Sequence, residues 1–394
     1  MTDATEPAAV RSRRLLCDLT ARAPGPTLLC IAGLHGNEPA GVRALERIAA
    51  DLAARGGPAR GRLVALLGNL AALERGERYL DRDLNRGWHP RARRAASPAR
   101  AGAAEEAEQA ALRDALDEIL DGSLDGVVAL DLHTTSGHGE PFSVIGDTLA
   151  NRAFAAHLDL PVVLGLEELL DGTLLDYLHG RVAVAVGVEG GQHEDPESVD
   201  RLQRVVRSAL EALGMLTPAN PPRAPTRAAG GGVPPGRGVA DGSRAGAGDA
   251  PPRFLEVRHR QGVNPSVDGF RMRPGYLNFQ KVGEGEIVAS DDAGPIRVPE
   301  RGLLLMPLYQ KLGEDGFFVV RPIRPFWIRF SGVLRRLDAD RWVRILPGVR
   351  PHPTRDATYT VNRRIARWYA LEIFHLLGYR RTRAHGEMLL VTRR

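Results

Sequence analysis

Cysteine, lysine and long apolar runs are scarce in this 394-residue chain. Its two cysteines, Cys17 and Cys30, are too few for a disulfide framework or a cysteine-rich zinc site. No apolar stretch reaches the roughly 20 residues that span a bilayer. The N-terminal segment carries arginines but lacks the apolar core of a secretion signal. We therefore expect a cytoplasmic protein with no membrane partner.

Basic charge comes almost entirely from arginine and is unevenly distributed. Two of the 53 basic residues are lysines, and the formal net charge is +5. The segment 321–394 holds 17 Arg against 5 Asp and Glu, a balance of +12, so the segment 1–320 carries −7. Because arginine is frequent throughout, its number alone is no argument for nucleic-acid binding.

Short, nearly continuous apolar runs alternate with helix-like patterns across the segment 1–216. The predicted strands are 27–34, 62–67, 126–132 and 182–188. The predicted helices are 39–55, 103–121 and 196–213, which end before or at glycines. Strands that are apolar throughout are buried on both faces. This alternation predicts an α/β fold with helices on both faces of the sheet.

Changes in composition predict four parts of the chain. These are an α/β domain (1–216), a Pro/Gly-rich linker (217–252), a small β domain (253–324) and an Arg-rich C-terminal extension of unknown role (325–394). Within the extension, the spacing of apolar residues predicts a helix over 361–377, with Ile365 facing a core.

Three of the four predicted strands end on residues that bind metals or transfer protons. His35 and Glu38 follow the first strand in "GLHGNE", His133 follows the third in "DLHTTSG", and Glu189 follows the fourth in "VEGGQH". Ligands of open α/β sheets bind beyond the carboxyl ends of the strands. Two histidines and one carboxylate, with a fourth position left for water, form a typical catalytic zinc site. Glu189 is then the spare carboxylate that can serve as general base.

The segment "RYLDRDLNR", residues 78–86, has no regular period and is predicted to be a loop. Arg78, Asn85 and Arg86 are planar hydrogen-bond donors, and arginine binds carboxylates through paired hydrogen bonds. Beside a metal, this loop would hold an anionic substrate and stabilise charge that forms on the attacked oxygen.

The ordered series "HGNE", "RYLDRDLNR", "DLH" and "VEGGQ" resembles the succinylglutamate desuccinylase/aspartoacylase family, which is related to the zinc carboxypeptidases. The resemblance spans about residues 27–216 and extends more loosely into 270–322. It implies a zinc-carboxypeptidase-like, mixed and mostly parallel sheet, followed by a small C-terminal β domain. The implied function is that of a zinc-dependent amidohydrolase. Such a hydrolase (a deacylase) cleaves the amide bond of an N-acyl amino acid or a related small carboxylate-bearing amide.

The resemblance also implies a role for each site residue. His35, Glu38 and His133 would bind one Zn²⁺ per chain, and Glu189 would be the general base and later the proton donor. Arg78 would polarise the substrate carbonyl, and the remaining motif residues, Asn85 and Arg86, would hold the substrate carboxylate.

One feature of the aspartate-specific members is missing. They have an arginine about ten residues before the base, whereas this chain has His179, with Arg181 nearby. N-acetylaspartate is therefore not indicated as the substrate.

Two other functions remain open at this point. The site could cleave a short peptide as a carboxypeptidase does, or the chain could be a non-catalytic regulatory protein that binds nucleic acid through its Arg-rich C-terminus. No known nucleic-acid-binding module is visible in the extension, which favours a solvated charged face there.

Overall fold

The computed structural model describes residues 13–88, 104–123, 125–216, 253–263, 269–355, 357–362, 364–366, 370–385 and 388–393. The predicted linker, 217–252, lies outside these residues, and the domain boundaries remain a prediction. No helix in the described part of the chain combines the length and hydrophobicity needed to cross a bilayer.

The strands are numbered here in chain order. They are β1 (Leu15–Thr20), β2 (Thr27–Ala32), β3 (Arg62–Leu67), β4 (Val127–Thr135), β5 (Phe142–Ile145), β6 (Val162–Leu164), β7 (Val184–Gln192), β8 (Phe254–Gly262), β9 (Arg271–Met272), β10 (Lys281–Val282), β11 (Ile287–Asp291), β12 (Gly294–Arg297), β13 (Gly302–Leu305), β14 (Asp315–Pro322), β15 (Val349–Pro351), β16 (Thr358–Asn362), β17 (Arg381–His385) and β18 (Met388–Thr392).

The helices are α1 (Pro39–Ala54), α2 (Leu70–Arg75), α3 (Ala104–Asp121), α4 (Leu149–Ala155), α5 (Leu166–Leu169), α6 (Leu174–Leu178), α7 (Glu197–Ala212), α8 (Pro325–Arg336) and α9 (Ala370–Leu376). Short 3₁₀ helices span Leu84–Arg86 and Ala339–Ile345. The three helices predicted within the segment 1–216 correspond to α1, α3 and α7, and their bounds lie within a residue of those expected.

One large mixed sheet forms the centre of the fold. Its eleven strands run in the order β1-β3-β2-β4-β7-β5-β6-β8-β14-β13-β10. The adjacent strands β3, β2, β4 and β7 are parallel, so their carboxyl ends meet at one edge. At the other end of the sheet, β8 pairs with β14, β14 with β13, and β13 with β10, and all three pairs are antiparallel. Smaller antiparallel sheets are formed by β12-β11-β9 and by β15-β16-β18-β17.

Successive residues of β2 pack into two different cores. Leu28 and Cys30 belong to the apolar cluster that contains residues of α1, α4 and α7. Leu29 and Ile31 belong to the cluster that contains residues of α3 and α6. Since side chains alternate across a strand, the two clusters lie on opposite faces of the sheet. The predicted fold class, a mostly parallel α/β sheet covered on both faces with a small C-terminal β region, is confirmed.

The predicted helix over 361–377 is wrong in its extent. Val361 and Asn362 end strand β16, and only Ala370–Leu376 form a helix in the described residues. Ile365, expected to face a core, is 55% exposed. The segment that precedes Asn362 reads Thr-Tyr-Thr-Val, which is rich in β-branched and aromatic residues and favours a strand.

A buried carboxylate, Asp147, connects the α/β sheet to the C-terminal extension. Its oxygens lie 2.6 and 2.8 Å from Nε and Nη2 of Arg152 in α4. Arg335 of α8 donates to Oδ1 at 3.0 Å and to the backbone oxygen at 2.7 Å, and Arg380 also contacts the carboxylate. Burial alone would raise the pKa of Asp147, but the charges of Arg380, Arg152 and Arg335 hold it well below its ordinary value.

We expect Asp147→Asn to lower the free energy of unfolding by roughly 3–5 kcal/mol, because it leaves buried guanidinium groups without their anion. Urea denaturation at neutral pH measures this change. In the wild type, the stability that Asp147 supplies is present above its unfolded pKa of about 3.9 and is lost as pH falls further.

Asp338→Asn is the matched control, since Asp338 pairs with Arg341 at 3.4 Å on the exposed surface. Its cost is expected to be at most about 1 kcal/mol. Equal effects of the two substitutions would contradict the role assigned to Asp147.

Candidate active site at the carboxyl ends of the parallel strands

Three neighbouring strands carry the candidate residues to one place. β2 leads directly to His35, and the pairing of β2 with β4 sets Ile31 beside Asp131, two residues before His133. β4 and β7 pair so that His133 lies opposite Glu189. Both strands continue past the predicted ends, so these two residues lie within strands rather than after them.

A tight turn after β2 brings Glu38 back toward His35. Gly36 packs so closely that a Cβ there would lie 2.1 Å from the backbone of Ala72. Only glycine fits this position, since real Cβ atoms do not approach backbone so closely. Glu38 then precedes α1, whose first residue, Pro39, suits a helix start because its fixed φ is already helical.

The carboxylate of Glu38 lies between two imidazoles. Its Oε1 is 2.8 Å from Nδ1 of His35, and its Oε2 is 3.0 Å from Nδ1 of His133. The backbone N–H of Thr134 donates to Oε2 at 2.9 Å. One ligand atom from each of the three predicted metal ligands lies within 4.8 Å of the others, and all three residues are buried.

The second nitrogen of each imidazole faces a carboxylate. Nε2 of His35 is 3.0 Å from Oδ1 of Asp83, and Nε2 of His133 is 3.1 Å from Oδ2 of Asp131. Histidines that bind metals characteristically present their other ring nitrogen to a carboxylate or carbonyl, which fixes the ring and its tautomer. The two imidazoles are therefore oriented with Nδ1 facing Glu38 and available to a metal.

The charges around these imidazoles also suit a cation. Burial lowers the pKa of His133, but Asp131 and Glu38 raise it well above its ordinary value. His133 therefore retains a proton, whose positive charge offsets the converging carboxylates. A bound metal ion would supply that positive charge instead. Two imidazoles and one carboxylate, with room for a further ligand, are the donor set of a catalytic zinc site. The residues present fit such a group.

Glu189 lies beside this cluster without belonging to it. It lines the same cavity, and its Oε2 is shielded from solvent and has no hydrogen-bond partner among the described residues. Burial raises the pKa of Glu189 to about 8, with His133 opposing the shift and Glu38 and Asp131 adding to it. Because burial is the main cause of this shift, a cation bound in the neighbouring cluster would lower the pKa of Glu189 and favour the carboxylate that accepts a proton.

The loop from Arg78 to Arg86 forms one wall. Nη1 of Arg78 is 3.5 Å from Oε1 of Glu38, and its Nη2 donates to Asp83 at 3.0 Å. Asn85 Oδ1 accepts from the backbone N–H of Leu174 at 2.7 Å, which leaves its side-chain NH₂ as a donor. The fixed amide and guanidinium groups therefore place hydrogen-bond donors beside the metal-ligand cluster.

Arg86 is already paired in this structure. Its Nη2 lies 3.2 Å from Oδ2 of Asp315, and its Nε lies 3.7 Å from Oε2 of Glu314. Arg260 also contacts Asp315, at 2.5 Å. A substrate carboxylate would therefore either displace Asp315 from Arg86 or bind Arg86 together with Asp315.

All seven residues selected from the sequence line one cavity of about 90 Å³. These are His35, Glu38, Arg78, Asn85, Arg86, His133 and Glu189. The other histidines near the motifs do not join the metal-ligand cluster among the described residues. His193, for example, bonds through Nδ1 to the hydroxyl of Thr134 at 2.8 Å.

Part of the cavity lining lies outside the site residues that the sequence predicts. Glu167 and Asp315 add acidic groups, and Leu166, Met306 and Phe318 add apolar surface. Asp315 belongs to β14, far along the chain from the "RYLDRDLNR" loop, and nothing in the local sequence connects the two. Asp131 carried a local signal, since it precedes His133 by two residues and so lies on the same side of β4.

The fold and the site define an α/β protein with a candidate metal centre at the carboxyl edge of its parallel strands. Residues 24–213 match the Succinylglutamate desuccinylase/Aspartoacylase catalytic domain family. The domain formed by these residues belongs to the succinylglutamate desuccinylase/aspartoacylase family.

Individual relatives agree with this membership. A succinylglutamate desuccinylase of Burkholderia orbicola (strain AU 1054) is 46% identical over 83 residues, which is 21% of this chain and 21% of that protein. The match thus spans about a fifth of the length of that curated relative.

Solved structures share the fold at lower identity. Succinylglutamate desuccinylase from Vibrio cholerae superposes with a TM-score of 0.55 and 19% identity, over 77% of this chain and 83% of that chain. Murine aminoacylase 3 superposes with a TM-score of 0.52 and 16% identity, over 77% and 97% of the two chains.

We expect Asp131→Asn to weaken divalent-metal binding about 10–100-fold, because His133 loses the carboxylate that orients it and raises its basicity. Competition with a chelating dye measures the affinity. Asp125→Asn is the control, since Asp125 is exposed just before the same strand. Equal affinities for the two variants would show that Asp131 does not support a ligand.

Proposed function

We propose that this protein is a zinc-dependent amidohydrolase that hydrolyses the amide bond of an N-acyl amino acid, releasing a carboxylate and a free amine. One observation carries the proposal. His35, Glu38 and His133 converge within 4.8 Å of one another while Glu189 faces the same cavity from the adjacent strand. The family of the catalytic domain supports the same chemistry.

Zn²⁺ is the proposed cofactor because two imidazoles and a carboxylate with an open position are its characteristic catalytic ligands. When bound, it polarises a carbonyl and lowers the pKa of water toward about 7. His35, Glu38 and His133 would hold it, with Asp83 and Asp131 fixing the two rings.

Glu189 is the proposed general base. Its carboxylate would take a proton from the attacking water and deliver that proton to the departing nitrogen of the amide. The shielded Oε2, which has no protein partner among the described residues, supports this role because a hydrogen-bonded oxygen would be less available for proton transfer.

Arg78 is the proposed stabiliser of the oxyanion, and Asn85 and Arg86 are the proposed carboxylate-binding pair. The guanidinium of Arg78 is already held by Asp83 and lies 3.5 Å from Glu38, so it would need little reorganisation to donate to a carbonyl oxygen beside the metal site. The proposed substrate enters with its carboxylate toward Asn85 and Arg86.

The proposed substrate is not N-acetylaspartate. Arg181, the nearest arginine to the position where aspartate-specific members carry one, donates to Asp117 at 2.7 Å and stacks over Tyr177 at 4.4 Å. Neither Arg181 nor His179 lines the cavity. Within the described lining, the side-chain pocket offers leucines, Met306 and Phe318 beside the two loop arginines.

Glu189→Gln is expected to lower kcat about 10²–10⁴-fold, because glutamine keeps the shape of the side chain but cannot accept the proton. Amine release from N-acyl amino acids measures turnover, and metal analysis checks that the ion is retained. Glu194→Gln, an exposed change in the segment that follows β7, is the control. Near-normal turnover by the glutamine variant at position 189 would refute the assignment of the base.

Arg86→Ala is expected to raise KM about 10–100-fold for N-acyl amino acids, since it removes a charge-assisted hydrogen bond to the substrate. KM for the corresponding N-acyl amino acid amides, which lack the carboxylate, should change little. Arg82→Ala, on the more exposed side of the same loop, is the control. An equal rise in KM for acids and amides would argue against carboxylate recognition by Arg86.

A substrate panel separates the remaining alternatives. N-acyl amino acids and dipeptides are compared with the metal present and with it removed by a chelator. Preferential, metal-dependent release of amine from the acyl amino acids supports the proposal, whereas cleavage of dipeptides alone indicates a carboxypeptidase. Absence of hydrolysis in both classes would contradict the proposed function.

A further inference from the structure

Helix α8 in the C-terminal extension exposes a row of large apolar side chains. We call this row the α8 surface; it consists of Phe326, Trp327, Phe330, Val333 and Leu337. Their exposed fractions are 63%, 44%, 39%, 51% and 72%. Positions 326, 330, 333 and 337 are spaced by four, three and four residues, which places them on one side of the helix. A continuous exposed apolar row marks a surface that meets another apolar phase.

The fold does not require this row for its own core. On the other side of α8, Ile328 packs against the main core cluster and Leu334 packs against the cluster of the C-terminal extension. Ser331 is buried, where it receives a hydrogen bond from Arg152 at 3.1 Å. The packed face therefore anchors the helix, and the α8 surface is the opposite, exposed face.

The exposed apolar surface continues beyond the helix. The 3₁₀ helix Ala339–Ile345 follows α8, and Trp342 and Ile345 on it are 69% and 70% exposed. Phe326 and Phe330 stack with ring centroids 5.9 Å apart, and Trp327 meets Phe330 edge to face. The aromatic rings thus form a preordered group rather than separate side chains.

Positive charge flanks this apolar surface. Arg329 and Arg336 are exposed on the same side of the apolar row, one turn to either end of Val333. The segment 324–345 contains six Arg against two Asp, and Asp338 is already paired with Arg341. The wider segment 321–394 has a formal balance of +12, of which Arg335 and Arg380 are already paired with Asp147. The partner must therefore combine an apolar interior with negative charge.

A basic cavity of about 500 Å³ opens at the start of α8. Its lining includes Arg321 and Arg324, and it shares Trp327 with the α8 surface. Glu256 also lines it and pairs with Arg321 at 3.0 Å. Ile328 and Ser331, on the anchored side of α8, line it as well, so the cavity lies behind the helix and is not part of the α8 surface.

We propose that the α8 surface docks on an anionic phospholipid bilayer, with the helix lying in the plane of the membrane interface. Phe326, Phe330 and Leu337 would enter the boundary between headgroups and acyl chains, as the apolar faces of interfacial helices do. The flanking arginines would meet anionic headgroups. The expectation of no membrane partner came from the lack of a spanning segment, which an in-plane helix does not need.

The same observations disfavour other occupants. A second copy of the chain would bring two strongly basic segments together, which like-charge repulsion opposes. Single-stranded nucleic acid would use the aromatic rings, but Val333, Leu337 and Ile345 provide no ring on which a base could stack. A lipid bilayer accommodates both the aliphatic and the aromatic side chains.

Vesicle co-sedimentation of the full chain tests the proposal. The probes are vesicles of phosphatidylcholine alone and vesicles that also contain phosphatidylglycerol. We expect binding to the anionic vesicles, weaker binding as salt is raised, and a blue shift of tryptophan fluorescence on binding. Phe326→Ser/Phe330→Ser should weaken binding about tenfold or more, since two apolar rings no longer leave water.

Matched controls separate the surface from general effects. Leu15→Ser changes a residue that is 42% exposed on β1, far along the sequence from α8, and should leave binding unchanged. The double variant Arg329→Glu/Arg336→Glu should lose the preference for anionic vesicles. The control Arg43→Glu/Arg204→Glu makes the same charge change at exposed positions of α1 and α7, and it should retain most of that preference. All of the substituted side chains are at the surface, and circular dichroism checks that each variant folds.

Three results would overturn the proposal. The first is a wild-type chain that does not bind anionic vesicles. The second is a serine double variant that binds them as tightly as the wild type. The third is self-association or nucleic-acid binding that depends on Phe326 and Phe330, in a chain that does not bind vesicles. None of these readouts depends on hydrolysis, so the proposed enzymatic function is tested separately.

Discussion

The candidate site depends on one buried carboxylate, that of Glu38, held between two imidazoles. A buried charge is costly unless its oxygens are paired, and here both are. His35 and His133 each present Nδ1, and the N–H of Thr134 completes the set. These groups come from the end of β2, the start of α1 and the interior of β4, so they meet only because β2 and β4 are neighbours in the sheet.

This arrangement also explains why the surroundings are so acidic. Asp83, Asp131, Glu38 and Glu189 crowd around two imidazoles and one nearby guanidinium, that of Arg78. The neighbouring carboxylates raise the pKa of His133, and burial together with those carboxylates raises the pKa of Glu189, so that protons offset the negative charge. The protein thus contains a region whose electrostatics favour a cation, enclosed by residues with the correct donor atoms to bind one.

The sequence was informative where local chemistry determines structure. Glycines just beyond their ends mark helices α1 and α7, and uniformly apolar runs mark the parallel strands. The site residues were recognised because parallel strands deliver their carboxyl-end side chains to one edge. That rule needs only the strand positions, so the sequence predicts His35, His133 and Glu189 without knowledge of the strand order.

What could not be predicted depends on long-range packing. β5 and β6 have only four and three residues, too few to show a period. Asp315 reaches the cavity because β14 joins the same sheet through β8, a pairing with no sequence signature. The helix predicted over 361–377 begins too early because Val361 pairs with Val349 and Leu389, which extends strand β16 into that range.

The buried cluster around Asp147 determines how α8 can be oriented. Arg335 contacts Asp147 from the side of α8 opposite Phe330 and Val333, as the helical spacing requires. Rotating the helix to bury its apolar row would withdraw Arg335 and leave a buried carboxylate short of one partner, which is strongly unfavourable. The ion pairs that attach the extension to the α/β sheet therefore also keep the α8 surface facing outward. An apolar row held in this way is a rigid, preformed surface, and binding to it does not require the helix to reorganise.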